Sequence, residues 1–141
     1  MRLGKLQAEE PLQIKGVLCS GIQQGSHFTQ LDWVREQCNN LLGFIPHPGT
    51  LNLKVEKVDL QLWQILRQDA TGLMVNAPTQ EFCSARLFPG SLTQLNVAAV
   101  VPLVAGYPED LIEILAPVPL RQHFNLIDGD SITIAFFTKK I

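Results

Sequence analysis

Charge is scarce in this chain. Only 17% of the 141 residues are charged, 11 basic against 13 acidic, for a formal net charge of −2. No basic run stands out beyond Lys139-Lys140, so the footprint of a nucleic-acid binder is missing. Cysteine is sparse too. Cys19, Cys38 and Cys83 are odd in number and widely spaced, with no Cys-x-x-Cys pair. That argues against a disulfide framework and for free thiols in a reducing compartment. His27, His47 and His123 show no metal-ligand spacing and read as loop or turn residues. No apolar run approaches the roughly 18 residues of a membrane span. The polar stretch Met1–Glu10 lacks the apolar centre of a signal peptide. The expectation is a cytoplasmic protein with no membrane partner. No Gly-x-Ser-x-Gly or complete P-loop motif occurs, which removes the nucleophile elbow and the Walker-type nucleotide fold.

Apolar residues, by contrast, are plentiful at 46%, enough for one core and too many for a disordered chain. Residues 1–10 read as a leader and residues 11–141 as a single domain. Alternation of Leu12, Ile14 and Leu18 against Gln13 and Lys15 predicts a strand ending near Ser20. A glycine-bearing loop, Gly21 to Ser26, follows. Thr29 then reads as the N-cap of a helix, with Asp32 in its first turn and Gly43 as its stop. Thr50–Val55 alternates as a second strand, and Asp59 reads as the cap of a short helix running to about Arg67, with Leu62, Trp63 and Leu66 inward. Residues 70–79 read as loop. Phe82–Phe88 and Leu92–Val101 read as two strands around a Pro89-Gly90 turn. Leu111–Leu115 is a short apolar run, Leu120–Phe124 a helical turn, Asp128-Gly129-Asp130 a turn and Ser131–Phe137 the last strand. Many short strands with few helices predict a closed or nearly closed β-barrel.

Three places carry possible chemistry. Thr50 and Asn52 in Pro48-Gly49-Thr50-Leu51-Asn52-Leu53 share one face of a strand. Their oxygens suit a hard cation such as Mg²⁺, which keeps places for phosphates and water. Taken alone they read rather as two polar residues on a wet strand face. Gly21 and Gly25 could turn backbone N–H groups toward a phosphate, or simply make a turn. Glu113 interrupts the apolar run Leu111–Leu115. Buried there, it needs a partner and suits an acid–base or ligand-binding role; on the outer barrel face it would need neither.

These pieces stand in a recognisable order. Gly16-Val17-Leu18-Cys19-Ser20-Gly21 comes first, then Leu42-Gly43-Phe44-Ile45-Pro46-His47-Pro48-Gly49-Thr50-Leu51-Asn52-Leu53. Ile112-Glu113-Ile114-Leu115-Ala116-Pro117, Leu120-Arg121 and Leu126-Ile127-Asp128-Gly129-Asp130 follow. Together they resemble the CTP-dependent riboflavin kinase family over about residues 14 to 137. The resemblance implies a mainly β fold, a six-stranded cradle-loop (RIFT-related) β-barrel with two or three short helices. It implies transfer of a phosphoryl group from CTP to riboflavin, giving FMN and CDP, with Mg²⁺ as cofactor. By the same resemblance Thr50 and Asn52 match the metal ligands. Gly21, Ile22, Gln23, Gln24, Gly25 and Ser26 match the segment that wraps the nucleotide, and Val118, Pro119, Leu120 and Arg121 match a second nucleotide-contacting segment. Glu113 matches a flavin-contacting carboxylate, with orientation or deprotonation of the riboflavin hydroxyl as its possible chemical role. Gln23 stands where the family has the middle glycine of its loop, Ser26 where Lys or Arg is common, and Ala105 where a flavin-contacting hydroxyl is found. A barrel that binds flavin or nucleotide without transferring phosphate, or a kinase of another small alcohol, therefore stays open beside the riboflavin kinase.

Overall fold

A computed structural model describes residues 11–20, 24–68 and 72–137. The leader Met1–Glu10, the loop residues Gly21, Ile22 and Gln23, the side chains of Gln24 and Ser26, and Lys139-Lys140 lie outside them. The chain opens with β1 (Leu12–Cys19), α1 (Gln24–Gln30), α2 (Asp32–Leu42), β2 (Leu51–Val55) and α3 (Lys57–Arg67). It continues through β3 (Leu73–Val75), β4 (Ala85–Leu92), β5 (Leu95–Pro102) and β6 (Leu111–Leu115). A single-turn helix, α4 (Leu120–His123), and β7 (Ser131–Phe136) complete it.

Six strands form the ring, in the order β4-β5-β6-β2-β1-β7, and a second pairing of β4 with β7 closes it. Every pairing is antiparallel. The fold is thus mainly β, a closed six-stranded barrel with a few short helices, as the alternation of short strands leads one to expect. The seventh strand, β3, adds to β4 outside the ring. No helix among the described residues is long and apolar enough to cross a membrane.

Strand alternation divides the apolar residues between two cores. Ile14, Leu18, Leu51, Leu53, Ile112, Ile114, Ile132 and Ile134 fill the barrel. Helix α3 adds the fully buried Trp63 to them, its indole 5.7 Å from the ring of Phe136 and 6.4 Å from that of Phe88. The opposite face of the wall is covered by α2, whose Val34 and Cys38 pack on Val75, Ala85, Leu87, Val100 and Leu115. Burial pushes the Cys38 thiol up to about 11, so it serves as packing rather than as a nucleophile.

Several expectations need correction. Thr29 does not cap α2; Leu31 holds that position without a side-chain cap. Thr29 instead lies buried inside α1, where Gln24-Gly25-Ser26 are already helical rather than loop. Helix α3 begins at Lys57 with Glu56 as its cap residue, and Asp59 accepts a hydrogen bond from the Lys15 backbone N–H at 2.9 Å, tying the helix to β1. Leu62, expected inward, is exposed. Residues 73–75 form β3 rather than loop.

The largest correction is Pro89-Gly90, which lies inside β4 and is not a turn. The turn sits four residues later, at Thr93 (φ 46°) and Gln94 (φ 70°), so the strands shift to Ala85–Leu92 and Leu95–Pro102. Two successive positive φ values match the twist of a two-residue hairpin, even without glycine. Gly90 has a different task. A Cβ there would lie 2.6 Å from Ala135 O and 3.1 Å from Phe136 Cα. Only a residue without a side chain lets β7 approach β4 and shut the barrel. Gly90→Ala should therefore destabilise the fold by about 2–3 kcal/mol, as overpacking does, read as a lower urea midpoint. An unchanged midpoint would show that closure does not depend on this contact.

Candidate active site

The β2–β6 register brings the candidate residues together. Asn52 lies directly across from Glu113, between the pairs Leu51–Ile114 and Leu53–Ile112. Because the leucine and isoleucine pairs fill the barrel, Asn52 and Glu113 stand on its outer wall. Glu113 therefore has the outer position of the two weighed from the sequence. It is only half exposed, though, and both of its oxygens are bonded.

Thr50 completes the group just ahead of β2. Its Oγ1 is 2.9 Å from Asn52 Oδ1 and 3.2 Å from Glu113 Oε1. One hydroxyl proton faces two acceptors, so the three oxygens form an electron-rich cluster with a single donor. Asn52 is one of two buried polar residues among the described residues. Its backbone carbonyl accepts a long contact from Cys19 Sγ at 3.5 Å. Burial first, and then the Asp128 carboxylate, raise the Cys19 thiol above its ordinary value, which makes it a poor nucleophile.

The turn that delivers Thr50 is held from α1. Gly49 has φ 101°, a left-handed value suited to glycine, and its N–H donates to the buried Thr29 Oγ1 at 2.8 Å. The His47 N–H donates to Ala116 O at 2.7 Å, joining this turn to the strand end beyond β6. Between the two segments lies a cleft of about 150 Å³. His47, Gly49 and Thr50 line one side, and Val118, Pro119 and Leu120 the other. The structure thus places three of the four residues expected in the second nucleotide segment against one of the two expected metal ligands.

Arg121 points elsewhere. Its Nη2 donates to Asp128 Oδ1 at 2.7 Å and lies 3.4 Å from Cys19 O. Ser20 Oγ donates to the other oxygen, Asp128 Oδ2, at 2.6 Å. One carboxylate therefore ties α4 to the end of β1, immediately before Gly21. The sequence marked Asp128 only as a turn residue, and nothing local announced this second role. The phenol of Tyr107 was missed as well; it donates to Glu113 Oε2 at 2.5 Å. Ala105, in the same connection, is exposed.

Such features define a class, a closed β-barrel with a polar site on its outer wall beside a small cleft. Comparison with known proteins then gives the family. The family CTP-dep_RFKase, described as the domain of unknown function DUF120, matches residues 18–136; the chain belongs to this family. Relatives in it are named riboflavin kinase, so the family is one of kinases. One from Saccharolobus solfataricus is 36% identical over 131 residues, covering 89% of this chain and 74% of its own length. One from Sulfolobus acidocaldarius is 31% identical over 131 residues, covering 89% and 82%. One from Archaeoglobus fulgidus is 31% identical over 128 residues; there the match spans 89% of this chain but only 55% of the relative.

The hydrogen bonds from Ser20 and Arg121 hold the Asp128 carboxyl below its ordinary value. A depressed folded-state pKa stabilises the fold at pH above the ordinary carboxylate value, and the gain is lost as pH falls through the folded-state value. Asp128→Asn should accordingly melt below wild type at neutral pH, with the gap narrowing as pH falls below the ordinary carboxylate value. A gap that persists unchanged in acid would remove the carboxylate's charge from the account.

Proposed function

We propose that the chain makes FMN and CDP from riboflavin and CTP in a Mg²⁺-dependent phosphoryl transfer. Beyond family membership, one observation carries this reading: Thr50, Asn52 and Glu113 converge in one oxygen cluster at the edge of the cleft lined by Val118, Pro119 and Leu120.

The donor set suits the cation. In an octahedral Mg²⁺ shell with bonds of about 2.1 Å, adjacent ligand oxygens stand about 3.0 Å apart. Thr50 Oγ1 and Asn52 Oδ1 are 2.9 Å apart, and both are neutral hard oxygens. Two such ligands would hold the ion and leave its other positions to phosphate oxygens and water. When bound, Mg²⁺ would neutralise charge on the transferring phosphoryl group.

The chain's own residues supply the positioning that phosphoryl transfer chiefly needs. Val118, Pro119 and Leu120 offer an apolar wall for part of the nucleotide. Arg121, aimed by Asp128 at the end of β1, adds positive charge where the segment Gly21, Ile22, Gln23, Gln24, Gly25 and Ser26 begins. Glu113, opposite Asn52, contacts the flavin and orients or deprotonates the riboflavin hydroxyl.

The test is an end-point assay of purified protein with riboflavin, Mg²⁺ and each of CTP, ATP, GTP and UTP in turn, FMN being read by chromatography. FMN from CTP alone is expected. FMN from another nucleotide would replace the donor, and none from any, with folded protein, would leave a binding-only barrel or another acceptor. In the same assay Thr50→Ala with Asn52→Ala should lower turnover by about 10²-fold or more, the scale of losing preorganised charge stabilisation, while circular dichroism stays unchanged. Undiminished turnover in that variant would rule out the metal site.

A further inference from the structure

Tyr107 belongs to the β5–β6 connection, and that connection is tied to α3. Arg67 Nη1 donates to Pro108 O at 2.9 Å, and Gln64 Nε2 donates to Glu109 Oε1 at 2.8 Å. The Arg67 guanidinium lies over the Tyr107 ring, 5.7 Å from its centroid. From below, the ring packs on the barrel core. Helix α3 and the barrel therefore fix the place of the phenol, and its O–H donates to Glu113 Oε2. The other carboxylate oxygen, Oε1, is the one 3.2 Å from Thr50 Oγ1.

A glutamate on a strand has three side-chain torsions, the last of them broad. A bond to Oε1 alone would leave the carboxylate free to swing. Bonds to both oxygens leave it one orientation. We infer that Tyr107 is the positioning residue for Glu113, its phenol holding Oε2 so that Oε1 stands at the Thr50–Asn52 cluster and faces the acceptor hydroxyl in a set direction. Burial, and next the Glu113 carboxylate, raise the Tyr107 phenol well above its ordinary value, so the phenol remains a protonated donor. The inference rests on the reading of Glu113 as the flavin-contacting group.

Tyr107→Phe removes the O–H and keeps the ring against Arg67 and the core. It should lower kcat/KM for riboflavin by about tenfold or more, the scale of a hydrogen bond to a charged group, and leave KM for CTP unchanged. In a Glu113→Ala background the same substitution should have no further effect. Equal losses in both backgrounds, or a matching rise in KM for CTP, would overturn the inference in favour of a merely structural tyrosine. A wild type that forms no FMN would sink the kinase reading instead. The crystal structure of Tyr107→Phe then decides the pair without turnover. Glu113 Oε1 withdrawn from Thr50 supports positioning by Tyr107; an unmoved carboxylate overturns it.

Discussion

The antiparallel register of β2 against β6 is the constraint on which the site depends. Side chains alternate with a period of two, so a slip of one residue would exchange the faces. Glu113 would then point among Leu51, Leu53 and Ile132, and Ile112 and Ile114 would face water. A bare carboxylate inside the barrel costs several kcal/mol, of order the penalty for any buried unpaired charge. Burial of the two isoleucines, on the order of 2 kcal/mol each, adds to the preference. The forces that fill the barrel thus also set Asn52 opposite Glu113, and no separate device is needed to bring the polar groups together.

What encloses the site comes from further along the chain. Thr29 of α1 holds the Gly49 turn, and α3 clamps the connection bearing Tyr107. The cluster contains one carboxylate and two neutral oxygens. Arg121 lies away from it, paired with Asp128 at 2.7 Å.

Strands with strict alternation were plain from the sequence. β1, β2, β6 and β7 each carry a regular inward set, and Leu111–Leu115 was bounded correctly. Thr50 and Asn52 could be paired from their shared strand face, but Glu113 joined them only through the order of the blocks that resemble the family, since register is not written in any one strand. Pro89-Gly90 misled because the same dipeptide that makes turns also permits close strand approach. The true turn at Thr93-Gln94 was hidden because neither residue is glycine or asparagine. β3 has only three residues, too few for any periodicity to register. Asp128 and Tyr107 were illegible for a different reason: their partners, Ser20, Arg121 and Glu113, depend on loop geometry and not on spacing.

Gly90 has a consequence for how the chain comes to be folded. β7, the last of the described strands, pairs with β1, the first of them, and also with β4. Neither seam can form until the final strand is available, and both join residues far apart in sequence. Rings made of such distant pairings belong to the slow-folding end of small proteins. Until that moment β1 and β4 present open edges able to pair with other chains. During synthesis, then, the glycine that lets the last strand settle also ends the period in which the nascent barrel is prone to aggregate.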